Sequence, residues 1–338
     1  MAANRGVVVG ASTLVGRELI EELGSSQAWD LRLADVAGST GQFVAGGDQA
    51  LIIQPLSPDI FEGREVAFFT ADSKITRAHW KEAKAAGAVV IDLSGSLEPE
   101  PDAVVRCPWI GDAAAPASAT IIVPAHPAAV ILGLIASRLR SVFADMHIAA
   151  TVLEPASQQG SPGLDEMHQQ TVSLLGLHSV PQDVYDAQVA FNLRIALGDE
   201  AKLNLKEIAA TIRRHLKAIS DEPTASSVTL QLVQAPVFHG YTMSIYVQLP
   251  ADADAAAIRR ALHGGLIAVT NSTQDAPSNQ SVMQESGISI ALTEDSASPP
   301  DARAYWLWVA TDNLKLSARE AMACAEEVID SRGGSKGG

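Results

Sequence analysis

The apolar run Gly6-Val7-Val8-Val9 stops at Gly10, and Gly16 then opens Arg17-Glu18-Leu19-Ile20-Glu21-Glu22-Leu23, whose apolar positions recur at helical spacing. A buried strand, a glycine-spaced turn and an amphipathic helix in this order are the start of a nucleotide-binding α/β domain. Gly10 permits the tight turn off the strand and Gly16 lets the helix sit close to the sheet. Between them Ser12, Thr13, Leu14 and Val15 bring first-turn N–H groups and the positive end of the helix dipole to a phosphate. The spacing is Gly10-x5-Gly16, short of the three-glycine fingerprint, so the reading depends on the strands and helices downstream of it.

Those downstream segments agree with it. Leu31 to Val36 reads as a second strand with an acid, Asp35, about 20 residues past the glycines, where a ribose-binding carboxylate belongs. Such an acid accepts hydrogen bonds from the ribose 2′-OH and repels a 2′-phosphate, which favours NAD over NADP as the cofactor; the alternative is a solvated acid at a strand end. Val66 to Thr70, Ala88 to Leu93 and Thr120 to Val123 are short apolar runs with few charges, as parallel strands covered on both faces require. Thr76 to Ala86 is helical by composition and runs into Gly87 as a stop signal.

At 338 residues the chain is long enough for about two domains. A formal charge of −15 and a pI near 4.9 argue against nucleic acid and anionic membrane surfaces as partners. The longest apolar run, Ala128 to Ala136, is too short to span a bilayer, and no targeting segment precedes the first strand, so a cytoplasmic location is expected. The two cysteines, Cys107 and Cys324, have neither disulfide-framework nor metal-ligand spacing.

A second domain begins after His126-Pro127, where Ala128 to Leu139 makes an apolar helix. Met146 to Leu153, Val228 to Val233 and Thr242 to Leu249 alternate as strands of an antiparallel or mixed sheet do when one face is exposed or paired with a partner. Glu207 to Ile219 and Ala255 to Leu262 supply helices, and the chain closes with Tyr305 to Ala310 and a helix through Ile329.

In this order the segments resemble the aspartate-semialdehyde dehydrogenase family, over nearly the whole chain. Four stretches carry the resemblance: Gly6 to Gly16 for the family's first turn; Ala156-Ser157-Gln158-Gln159-Gly160 for its Ala-Ser-Gly-x-Gly loop; Ala235-Pro236-Val237 for the strand before its catalytic His; and Thr311-Asp312-Asn313-Leu314 for its Ser-Asp-Asn-Leu nicotinamide loop. The resemblance implies a Rossmann-type, doubly wound dinucleotide-binding domain from residues 1–127 plus 314–332. It also implies an inserted α+β substrate and dimerisation domain over 128–313, a homodimer, and a cofactor bound through Gly10, Ser12 to Gly16, Asp35 and Asn313.

The catalytic positions depart from the family. Its Asn-Cys-Ser/Thr motif aligns with His126-Pro127-Ala128, which places proline where a thiolate must attack. Its substrate-binding Arg aligns with Gln234 and its His with Tyr241. Glu98 aligns with a phosphate-binding Arg, Glu154 with a substrate Gln, and Glu200 and Lys202 with an acidic and a basic substrate residue. Leu93-Ser94-Gly95, Ala190-Phe191-Asn192 and Val233 to Phe238 with Gly240 resemble the Usg-type branch, in which the dehydrogenase scaffold persists beside altered catalytic positions.

Several of these residues carry a plainer alternative. His126 either substitutes in the chemistry or caps the helix that Pro127 starts. Cys107 is a relocated nucleophile or a small residue filling the core. His239 and Tyr241, two apart on one strand, share a face and supply an acid or base, or they are structural. Two functions are compatible with the whole: a dinucleotide-binding scaffold that takes a ligand or partner without thiol-dependent phosphorylating dehydrogenation, or a nicotinamide-dependent oxidoreductase that works without a covalent intermediate.

Overall fold

The computed structural model describes residues 3–36, 38–47, 49–111, 116, 118–270, 276–295 and 302–334. The chain separates into two compact units, Met1–Ala125 with Ser317–Gly338 and His126–Leu316.

The first unit runs β1 (Asn4–Val9), α1 (Leu14–Ser25), β2 (Trp29–Asp35), β3 (Phe43–Gly46), β4 (Gln49–Pro55), β5 (Val66–Phe69), α2 (Ser73–Ala85), β6 (Val89–Asp92), β7 (Ala103–Arg106) and β8 (Ile121–Pro124). These strands make one sheet in the order β3-β4-β2-β1-β5-β6-β8-β7. It is parallel except at the β3–β4 hairpin. The order reverses at β1, and such a reversal opens a crevice at the carboxyl ends of the strands.

Nearly every position of the central strands is apolar because helices cover both faces. On one side Val8, Leu33, Phe68 and Ile91 pack with Leu19, Ile20 and Leu23 of α1 and with Ala318, Ala321 and Ala325 of the chain's last helix. On the other, Val7, Val9, Ala67 and Phe69 pack with Trp80 and Ala83 of α2. Three strands of this unit went unread in the sequence, and these are marginal: β3 exposes Phe43, β4 is mostly exposed, and β7 is half-buried at the sheet edge.

The second unit holds α3 (Pro127–Arg140), β9 (His147–Glu154), α4 (Gly160–Leu175), α5 (Leu205–Ile219), α6 (Glu222–Ser226), β10 (Val228–Gln234), β11 (Tyr241–Pro250), α7 (Ala255–Leu262), β12 (Ile267–Thr270), β13 (Ile288–Glu294), β14 (Ala302–Thr311) and the first turn of α8 (Asn313–Gly334). Its six-stranded sheet has the order β10-β9-β11-β14-β13-β12. It is mixed: β10 with β9 and β12 with β13 pair in parallel, the others antiparallel.

Alternation along these strands sorts the two faces. Val152, Met243, Ile245, Leu307 and Val309 are buried, while Trp306 and Trp308 keep 43% and 39% of their surface exposed. Tyr246 and Trp306 meet edge to face with ring centroids 5.1 Å apart, so this outer face of the sheet is aromatic.

Candidate functional site

In the first unit the turn between β1 and α1 is held by close approach. Gly10 has φ +91°, and a Cβ there would lie 2.4 Å from the backbone nitrogen of Ala71; a Cβ on Gly16 would lie 2.3 Å from the Gly10 carbonyl. Thr13 caps α1: its hydroxyl donates to the Gly10 carbonyl at 2.8 Å and accepts from the Gly16 N–H at 3.0 Å. The first intrahelical bond runs from the Arg17 N–H to the Thr13 carbonyl, so the Leu14 and Val15 amides precede it at the dipole's positive end. Ser12, Thr13, Leu14 and Val15 are all half-buried, and together these groups fit a pyrophosphate.

Asp35 is not a solvated acid. It is 4% exposed, with Oδ2 accepting from the Ser12 N–H and Oδ1 from the Val36 N–H, both at 2.8 Å. The carboxylate therefore fixes the turn between β1 and α1 to the end of β2. At the end of β6, Asp92 accepts from the Ser94 N–H and hydroxyl and from the Leu97 N–H, and burial pushes its carboxyl up. Arg77 of α2 donates to the Ser96 carbonyl in this same loop, close to Glu98 in sequence. Sequence reasoning overlooked this cation, since helix position alone does not disclose where a long side chain reaches.

The two thiols also lie in this unit, both fully buried. Burial, with the Glu320 carboxyl nearby, pushes Cys107 and Cys324 well above the ordinary thiol range. Glu320 itself is fully buried and pushed up by desolvation, with one oxygen accepting from the Ala125 N–H at 2.9 Å. A thiolate is disfavoured at both cysteines, and Cys107 is a small residue filling the core.

In the second unit Tyr241 and Glu154 bond to each other through their side chains, while His126 and Gln234 bond to backbone groups beside them. Pro127 opens α3, and His126 caps it, Nδ1 accepting from the Ala128 N–H at 3.2 Å. The His126 N–H donates to Nδ1 of His215, and burial followed by the neighbouring His215 pushes the His126 imidazole down to about 3. The Tyr241 hydroxyl donates to Glu154 Oε2 at 2.7 Å, and Gln159 Nε2 donates to Oε1 at 3.3 Å. Tyr241 and Glu154 have no exposed surface; burial pushes the Glu154 carboxyl up to about 7, partly offset by the Tyr241 bond. The Tyr241 phenol is pushed up by burial and then by Glu154, and its ring lies 6.3 Å from that of His126. Gln234 Nε2 donates to the carbonyls of Glu154 and Ala235, while its Oε1 is buried without a hydrogen-bond partner.

His239 and Tyr241 do not share a strand face. β11 begins at Tyr241, and Gly240, with φ +86°, turns the backbone between them. His239 instead joins two other loops: Nδ1 lies 3.0 Å from Ser157 Oγ and Nε2 lies 3.0 Å from Asp312 Oδ2. Asp312 Oδ1 accepts from the Leu314 and Lys315 N–H groups at the start of α8. Asn313 Oδ1 accepts from the Gly240 N–H at 3.1 Å and from the Ser157 hydroxyl at 3.2 Å, and its Nδ2 donates to Gln158 Oε1 at 3.0 Å. The Ser157, His239 and Asp312 alignment had no local sequence signal, because its members come from three separate segments.

Glu200 and Lys202 are exposed, their backbone N–H groups donating to Asp186 Oδ2 and to the Val184 carbonyl. No described side-chain hydrogen bond joins them to Glu154. Among the described residues, no His, Cys, Asp and Glu group is arranged to hold a metal ion.

A doubly wound sheet with a glycine turn after its first strand, followed by a mixed-sheet unit with a buried carboxyl and phenol, defines a dinucleotide-binding α/β protein with an added α+β domain. Residues 6–118 match the model of the semialdehyde dehydrogenase NAD binding domain and residues 139–316 that of the semialdehyde dehydrogenase dimerisation domain. The chain belongs to the semialdehyde dehydrogenase family, with a nicotinamide cofactor indicated by the first match and homodimer formation supported by the second. It is 28% identical over 336 residues to the USG-1 protein homolog of Azotobacter vinelandii, covering 95% of this chain and 96% of that one. It is 27% identical over 331 residues to the aspartate-semialdehyde dehydrogenase of Rickettsia bellii, covering 95% and 96%. In fold it is similar to aspartate semialdehyde dehydrogenase II of Vibrio cholerae, solved in complex with ASA: TM-score 0.84, 20% identity, covering 98% and 99%. No described helix is long and apolar enough to cross a membrane.

Proposed function

We propose that this chain is a dimeric, nicotinamide dinucleotide-binding member of the family that has lost thiol-dependent phosphorylating dehydrogenation and binds a ligand or partner. One observation carries the reading: the chain's two thiols, Cys107 and Cys324, are both fully buried, and burial pushes them well above the ordinary thiol range. Pro127, where the family resemblance calls for the nucleophile, offers a ring with no ionisable atom. Tyr241 and Gln234, at the positions of the family's base and carboxylate anchor, bond inward to Glu154 and to the backbone.

A bound nicotinamide supplies a hydride acceptor or donor; the residues of this chain supply its grip. Ser12 to Gly16 would hold the pyrophosphate, and Asp35 favours NAD over NADP because its carboxylate opposes a 2′-phosphate. The exposed Trp306 and Trp308 face is the surface on which the dimer forms. The test is turnover: purified protein given aspartate semialdehyde, phosphate and either cofactor shows no phosphate-dependent reduction of the nicotinamide. A rate within about tenfold of an active relative overturns the proposal.

The alignment of Ser157, His239 and Asp312 favours a second reading, an oxidoreductase acting on a hydroxyl or carbonyl group without a covalent intermediate. Both ring nitrogens of His239 are engaged, so it exchanges a proton with a ligand only through Ser157, while Asp312 orients the ring. Turnover on a panel of hydroxy compounds, lost in His239→Gln, supports it; no turnover on the panel counts against it.

A further inference from the structure

Gln234, Glu154 and Tyr241 stand side by side at one end of the six-stranded sheet of the second unit. Gln234 and Glu154 are register partners on β10 and β9, and Tyr241 opens β11 on the other side of β9. The face they share is otherwise apolar: Leu230 and Leu232 precede Gln234, and Ala150 and Val152 precede Glu154, at the two-residue spacing of one strand face. None of the three polar residues has exposed surface. The Gln234 amide has one orientation, because Nε2 donates to the Glu154 and Ala235 carbonyls at 3.0 and 3.2 Å and a flipped amide would set oxygen against oxygen. Oε1 is therefore the atom left without a partner, a buried acceptor in need of a donor. On the next strand each Glu154 oxygen takes one hydrogen bond, from the Tyr241 hydroxyl at 2.7 Å and from Gln159 Nε2 at 3.3 Å, and a carboxylate accepts about four. Gln159 is the loosest member, half-buried on the short turn Ala156–Gln159 with the longest of these bonds. Among the described residues no lysine or arginine side chain bonds to the three; Arg194 meets Gln234 through the backbone and turns its Nε to the Ala196 carbonyl.

We propose that this row is a binding site for a primary amine, whose ammonium N–H groups are shared between Gln234 Oε1 and the Glu154 carboxylate, and that it rejects carboxylate compounds. Gln159 swings aside to admit the ligand. The arrangement holds two acceptors facing a missing donor and no cation to hold an anion, so a carboxylate entering it would lie against Glu154 and the Gln234 oxygen. The other ionisable groups around Glu154 are the Tyr241 and Tyr185 phenols, with the His126 ring 6.3 Å from that of Tyr241, and all three are uncharged near neutral pH. Burial keeps the Glu154 proton up to about 7, and an arriving ammonium restores the carboxylate, so binding below that value releases a proton to solvent. The inference rests on reading the protein as one that binds a ligand without forming an acyl-enzyme, and it names the chemical class of that ligand.

The experiment is calorimetric titration of three compounds of matched size, propylamine, propionamide and propionate, into the full-length protein and its Glu154→Gln and Gln234→Met variants. The wild type binds propylamine at least about tenfold more tightly than propionate, with propionamide between them. Repeating the titration in buffers of different ionisation enthalpy shows about one proton released at pH 6 and about none at pH 8.5. Glu154→Gln weakens propylamine by at least about tenfold and abolishes the proton release, and Gln234→Met weakens it by about three- to tenfold, the worth of one hydrogen bond. Propionate or propionamide binding as tightly as propylamine overturns the proposal. So does propylamine binding that neither substitution moves, since attraction to the acidic surface at large would then explain it. Failure of all three compounds to bind the wild type overturns it as well and leaves Gln234 Oε1 to a buried water. Loss of dehydrogenation is read separately, from turnover of aspartate semialdehyde, so each of these failures leaves that reading standing.

Discussion

Glu154 is a carboxyl group whose burial has a measurable consequence. In the unfolded chain it loses its proton near its ordinary value of 4.5, and in the folded protein near 7. Below 4.5 both states are protonated and the group contributes no pH dependence. Between these values the unfolded chain is ionised while the fold keeps the proton, so stability falls as pH rises; above 7 the loss is complete. The interval from 4.5 to about 7, at about 1.4 kcal/mol per pH unit, amounts to roughly 3 kcal/mol. Glu154→Gln removes that titration and retains one acceptor for the Tyr241 hydroxyl, at a cost of about 1 kcal/mol for the imperfect match to Gln159. The variant is therefore slightly less stable than wild type at pH 4.5 and more stable by about 2 kcal/mol at pH 8. Urea denaturation at both pH values, followed by tryptophan fluorescence with Trp306 and Trp308 in the same unit, measures the difference. A gap between the two proteins that does not change from pH 4.5 to 8 would refute the reasoning. Tyr241→Phe supplies a second check: the bond that holds the Glu154 value down is gone, so the titration moves above 7.

Other expectations concern both units. Asp35→Ser should relax NAD over NADP discrimination, worth about 1–3 kcal/mol for a charge-assisted hydrogen bond, and calorimetry with both cofactors reads it directly; NADP tighter than NAD in the wild type contradicts the assignment. Neither thiol should react with a disulfide reagent at pH 8 until the protein is unfolded, given that both are fully buried; rapid titration of either in the native protein would show a thiol reachable for catalysis. Trp306→Asp combined with Trp308→Asp should convert a dimer seen by light scattering at micromolar concentration to a monomer of 35.4 kDa, and an unchanged mass would locate the interface elsewhere.

The sequence disclosed what period and spacing encode. The β1, turn and α1 start, the apolar central strands and the alternation of β9, β11 and β14 were legible because burial on two faces or one leaves a direct imprint on residue order. Edge elements such as β3 and β7 were not, since a half-exposed strand of four residues carries too little pattern. At the site, single positions were legible and their partners were not. Pro127 and His126 announced a capped helix, and the structure has it. The Glu154 bond to Tyr241 spans 87 positions and the Ser157 contact with His239 spans 82, with Asp312 further along the chain, and only chain topology brings these residues together. Gly240 shows how one residue misleads a period-two reading: its positive φ directs His239 and Tyr241 to different partners.

Loss of the covalent step is tested most directly by looking for the acyl-enzyme itself. Protein incubated with aspartate semialdehyde and NAD or NADP in the absence of phosphate would accumulate an acyl adduct if any side chain served as the nucleophile, since the acceptor that releases it is missing. Intact-mass measurement should show unmodified protein with both cofactors, for the wild type and for Pro127→Cys alike, because Gln234 and Tyr241 leave the other roles vacant and groups acting as a unit are strongly non-additive. A stoichiometric adduct on the wild-type protein, at Ser157, Cys107 or any other residue, would contradict it.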